Sequence, residues 1–144
     1  MKRNLAYFLF VVLILFAGCG TGSHKGSVSQ SSVSDTGKAV IIFAEYEHNF
    51  GKVKEGEKVA CIFNFTNNGT ADLIVNAAVA SCGCTVPKYS AKPVAPGKTG
   101  NIEVQFNTEG RNGIQTKTIT VRSNATTPVV ILKITTEVIN NNNN

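Results

Sequence analysis

"EGEKVACIFNFTNNGTAD", residues Glu55 to Asp72, decides the fold of this chain. Val59, Cys61, Phe63 and Phe65 alternate with Ala60, Ile62, Asn64 and Thr66. A period of two puts successive side chains on opposite faces of an extended strand, so the aromatic set points to one side. Asn67-Asn68-Gly69 then reads as a turn.

The same pattern recurs outward in both directions. Upstream, "AVIIFAEYEHNFG" (Ala39 to Gly51) is a short apolar run that Gly51 should stop. Downstream, "DLIVNAAVA" (Asp72 to Ala80) is rich in β-branched and small residues. "NIEVQFNT" alternates Ile102, Val104 and Phe106; "IQTKTITVRSN" turns Ile119 and Val121 inward; "PVVILKITTEV" aligns Val130, Leu132 and Ile134. Pro96-Gly97 and Glu109 to Gly113 mark further turns, and nothing shows the 3.6-residue period of an amphipathic helix. About seven short strands at roughly ten-residue spacing predict an all-β, immunoglobulin-like β-sandwich. It lacks the Cys…Trp…Cys core of antibody domains, since the chain has no tryptophan.

The N-terminus reads differently. Lys2 and Arg3 precede the almost unbroken apolar run Leu5 to Phe16, which is too short to span a bilayer comfortably and fits a secretory leader. Phe16-Ala17-Gly18-Cys19 resembles a bacterial lipobox, with Phe16 standing where leucine is usual. Residues 1–18 are therefore expected to be a lipoprotein signal peptide and Cys19 the lipidated residue. More than one acyl chain makes such anchoring stable. Residues 19–38 hold the lipidated cysteine and a Ser/Gly-rich tether, where six serines and four glycines leave too little apolar surface to offset ordering. The sandwich is assigned to residues 39–139 and a frayed asparagine tail to 140–144.

The whole chain carries a formal charge of +5, but the leader takes two positive charges with it and leaves +3. No basic cluster with interleaved aromatics survives, so a nucleic-acid partner is not expected. The product should be exported and held to the membrane by lipid, facing the periplasm or the cell surface.

"ASCGCTVPKYS" (Ala80 to Ser90) carries the only local chemistry. Cysteines two apart on an extended strand sit nearly 7 Å apart, whereas a disulfide needs Cβ atoms about 3.8 Å apart. Gly83 is therefore expected to turn the chain through a positive φ if Cys82 and Cys84 are to pair. Three readings stay open. Ser81-Cys82-Gly83-Cys84-Thr85 can be a strand-end corner, with or without a local disulfide, in which Ser81 and Thr85 bond nearby backbone. Cys82 and Cys84 can be a redox pair, because a small strained ring is readily reduced. They can also hold copper(I), a soft ion satisfied by two thiolates. A closed zinc site wants four ligands, and neither His24 nor His48 converges on the pair by spacing. Cys61 lies in the inward phase and reads as a buried, inert thiol.

No catalytic constellation is present: Glu45, Glu47, Glu55 and Glu57 read as a solvated face, and phosphate loops, Ser-His-Asp order and helical zinc motifs are absent. No enzyme activity and no cofactor are expected.

The stretch from "HNFGKVKEGEKV" through "SCGCTVPKYS" to "KTITVRSN" resembles the DUF1573 domain, a family frequent in exported lipoproteins of Bacteroidetes. The likeness covers about Phe43 to Val138, and its most specific pieces are Ser81 to Thr85, Pro96-Gly97 and Ser123-Asn124. It implies a sandwich akin to the major-sperm-protein modules, which serve mainly as interaction or scaffold domains. On that reading the chain is a lipid-anchored, non-enzymatic module that binds a protein or glycan partner; the alternative is a thiol-dependent redox or copper(I) protein acting through Cys82 and Cys84.

Overall fold

The computed structural model describes residues 37–140. The expected leader, Cys19, most of the expected tether and the residues beyond Asn140 lie outside the described residues. Eight strands follow in order: β1 (Ile41–Phe43), β2 (Glu47–Lys54), β3 (Lys58–Asn67), β4 (Val75–Ala80), β5 (Thr85–Tyr89), β6 (Thr99–Asn107), β7 (Gly113–Ser123) and β8 (Val129–Ile139). There is no helix among the described residues. One sheet has the order β1-β3-β6-β5 and the other β2-β8-β7-β4. Every pairing is antiparallel except β2 with β8, which is parallel.

Alternation builds the core as the sequence implies. Cys61, Phe63 and Phe65 of β3 and Ile102, Val104 and Phe106 of β6 point inward from the first sheet. Ile119 and Val121 of β7 and Leu132 and Ile134 of β8 meet them from the second. Each fully buried aliphatic or aromatic side chain contributes about 1.5–3 kcal/mol by leaving water. The outward positions are not uniformly polar: Val79, Val129 and Ile131 are exposed on the second sheet.

Two expectations are corrected, and one strand joins those read from the sequence. Gly51 does not stop a strand; it lies inside β2 at φ 71° and shifts the register against β8 between Asn49 and Lys52. The Asn49 side chain accepts from the Gly51 N–H (2.9 Å), and the Thr136 hydroxyl donates to the Gly51 carbonyl (2.8 Å), so the bulge is held on both sides. The run from Asp72 is strand only from Val75; Leu73 instead makes an isolated bridge to Val94. Thr85 to Tyr89 is a strand despite Pro87, because an edge strand has a side whose N–H groups need no partner.

Asn67, which closes β3, is fully buried. Its amide donates to the carbonyls of Ala71 and Val94, both at 2.8 Å, and its oxygen accepts from Gly69 (2.9 Å) and Val40 (3.3 Å). A buried polar side chain is tolerated when its hydrogen-bonding capacity is filled, and here the amide ties three loops to one strand end. Thr108 is the second such post, its hydroxyl lying 2.9 and 2.8 Å from the Lys54 and Glu57 carbonyls.

Candidate functional site at the Cys82–Cys84 corner

β4 belongs to one sheet and β5 to the other, so residues Ser81 to Cys84 carry the chain across the sandwich. Ser81 anchors the departure. Its N–H donates to the Thr118 carbonyl (2.9 Å), and its hydroxyl accepts from the Thr118 N–H (3.1 Å). These bonds run to the neighbouring strand β7 rather than to local backbone, contrary to the capping expected for Ser81. The Thr85 N–H closes a turn on the Cys82 carbonyl (3.2 Å), and the Cys84 carbonyl accepts from Asn107 of β6 (2.9 Å).

Cys82 and Cys84 are joined by a disulfide, with Cα atoms 5.3 Å apart. That is well inside the roughly 6.6–7 Å of an extended pair. Gly83 does not supply the contraction by a positive φ, as expected from the sequence; no positive φ occurs there. The turn closed by Thr85 does it instead, in the manner of turns whose central residues both keep negative φ. A Cβ at Gly83 would meet nothing within 4 Å.

Both sulfur residues are half-buried. Thr85 is buried, and its hydroxyl lies 3.5 Å from the Cys82 sulfur. Cys84 packs against the core from one side and, with Gly83, opens on a cleft of about 240 Å³ from the other. Lys58, Val86, Gln105, Phe106 and Asn107 complete that cleft, and Lys58 is its one charged residue. While the disulfide is closed neither sulfur is a thiolate, so a copper(I) clip belongs to the reduced form alone.

The other candidates stand apart. His48 is on β2, the opposite edge of its sheet from β4, where it meets Glu45 (3.3 Å) and the Phe50 ring. The four glutamates do not converge. Glu47 pairs with Lys133, Glu55 accepts from Gly110 and Glu57 accepts from Lys54, so each serves a different strand or turn. Cys61 is buried on β3 and free. Burial, and then the charge of Glu45, push its thiol up from 9.0 to about 11. The folded chain thus holds this proton more tightly than the unfolded chain. The stabilisation is complete below pH 9 and should be lost as pH rises from about 9 to about 11. Urea midpoints across that window are expected to fall more for the wild type than for Cys61→Ala.

What sequence reasoning missed at the corner is the environment of the sulfurs. The buried hydroxyl of Thr85, the post at Ser81 and the cleft all depend on β6 and β7, which are distant in the chain. The motif itself was visible; its partners were not.

Fold and corner together define an immunoglobulin-like β-sandwich with a disulfide at a crossing between its sheets. The chain belongs to the DUF1573 family, described as a protein of unknown function, whose model matches residues 41–138. A crystal structure of a protein of unknown function from Porphyromonas gingivalis is similar, with a TM-score of 0.61 at 15% identity. The likeness takes in 69% of this chain and 46% of that one, so this chain spans less than half of the longer protein. The ASH/PapD-like domain 7 of human CEP192 aligns with a TM-score of 0.55 at 11% identity, over 72% of this chain and 87% of that domain. The secreted serine protease VesC of Vibrio cholerae gives 0.54 at 17% identity, over 69% of this chain and 23% of the protease. At these identities the likeness is one of fold. No curated protein matches the chain.

Proposed function

We propose that this is a lipid-anchored module of the bacterial cell envelope that binds a protein partner along a sheet edge and catalyses no reaction of its own. The observation that carries it is the edge strand β4. A sandwich of two open sheets has four edges, and three are guarded. β1 is only three residues long; β2 carries the Gly51 bulge with Lys52 and Lys54; β5 carries Pro87 and Lys88. Short length, bulges, lysines and proline are the devices that keep edges from pairing with other chains.

β4 reads Val-Asn-Ala-Ala-Val-Ala, with neither charge nor proline, and its register irregularity is confined to its first residues. Because Ser81 donates toward β7, the alternation of an antiparallel ladder turns the backbone groups of Ala80 and Ala78 outward. Val79 is 59% exposed, and its row continues through Thr120 to Ile131, with Val129 one row on. An extended partner segment could add a strand there and rest alternate side chains on that apolar row. The lipobox-like Phe16 to Cys19 and the Ser/Gly-rich tether support the envelope setting.

Cross-linking in intact envelopes of cells producing the full chain tests this. The wild type is expected in the membrane fraction with a specific protein adduct, and Val79→Lys should reduce that adduct by about fivefold or more, because it places a charge on the open edge. Recovery only in the soluble fraction, a glycan as the sole adduct, or an adduct indifferent to Val79→Lys would overturn the proposal.

A further inference from the structure

We propose that the Cys82–Cys84 disulfide is a thiol-exchange site that accepts two electrons from a dithiol, with Cys84 as the sulfur attacked. This goes beyond edge binding and does not depend on it. Three observations at the corner converge. Cys84 lines the cleft of about 240 Å³, which gives an incoming thiol a place to sit. Lys58 lines the same cleft and favours the approach of an anion. On the other side, the hydroxyl of Thr85, a residue only 3% exposed, lies 3.5 Å from the Cys82 sulfur.

The two sulfurs therefore have different roles. A thiolate of the dithiol attacks Cys84; a new S–S bond forms as the Cys82–Cys84 bond breaks, and the electron pair of the broken bond leaves on Cys82. The Thr85 hydroxyl donates to that thiolate, which lowers its basicity and makes it the better leaving group. Cys82 then takes a proton from water. The second thiolate of the dithiol attacks its own sulfur in the mixed disulfide, completing the partner's disulfide and releasing Cys84, which is protonated in turn. The dithiol has become a disulfide, and two electrons and two protons reside on Cys82 and Cys84.

Cys61 supplies an internal control, since it is buried and free and reacts only when the sandwich opens. The folded full chain at pH 8 is exposed to limiting glutathione, and separately to dithiothreitol, with alkylation and peptide mass mapping. The glutathione adduct is expected on Cys84 and not on Cys82, with Cys61 unalkylated. Thr85→Val should slow reduction by dithiothreitol about tenfold, the loss of one hydrogen bond to a charged acceptor, and Thr85→Ser should restore it. An adduct on Cys82, disulfide opening only in step with Cys61 alkylation, or a Thr85→Val rate equal to wild type overturns the proposal.

Discussion

Replacing Asn67 by alanine is expected to cost about 3 kcal/mol or more, a large share of the stability of a domain this size. The amide donates to the Ala71 and Val94 carbonyls and accepts from Gly69 and Val40, all around one buried strand end. Truncation takes the partner from the Ala71 carbonyl and from the Gly69 and Val40 N–H groups, while the Val94 carbonyl keeps the Leu73 N–H (3.0 Å), and an unpaired buried polar group loses about 1–3 kcal/mol. The loop through Val94 and the segment through Val40 should loosen together. Urea denaturation checks the magnitude, with a lower midpoint and an unchanged slope. Asn67→Asp sharpens the test: a carboxylate can accept from Gly69 and Val40 but cannot donate to either carbonyl. It is expected to do no better than alanine. A stable Asp variant would mean that the two donated bonds contribute little.

The other large effect is at Phe63, fully buried at the centre of β3 and registered against Ile102 of β6. Phe63→Ala should cost about 3–5 kcal/mol, because both the transferred area and the cavity left behind count. Its neighbour provides the contrast. Ile62 is 53% exposed on the outer face, and Ile62→Ala should stay within about 0.5 kcal/mol. Two adjacent residues of similar hydrophobicity would then differ several-fold, and the difference is set by strand phase alone. Equal costs would mean that the strand does not present the face assigned to it.

Strand phase is what the sequence made legible. The alternation through Val59, Cys61, Phe63 and Phe65, and again through Ile102, Val104 and Phe106, placed the core residues before any topology was known. Pairing was less legible. One apolar run, Ala39 to Gly51, became two strands in different sheets, because the chain bends between Phe43 and Glu47 to cover both sides of the sandwich. Nothing in local composition says which sheet an edge strand will join. Buried polar residues were misread for the same reason: Asn67 has the look of a turn residue, and only long-range partners at Val40 and Val94 reveal it as a post. At the corner, the pair of cysteines was plain, whereas the turn that contracts it came from a backbone bond between Thr85 and Cys82 and not from a special glycine.

The parallel pairing of β2 with β8 has a consequence for how the chain is made. β2 is complete at Lys54, yet among the described residues its only strand partner is Val129 to Ile139, the last described strand. β7 also waits for β8 on one of its two sides. A chain delivered from its N-terminus can form the β3–β6 pairing early, but it cannot close the second sheet until its final strand has arrived. Loop closure over that span is costly and is offset only when both ends are present. A product truncated before Val129 keeps its first sheet's sequence intact and still leaves β2 without its partner strand and one edge of β7 unpaired, where proteases can cut.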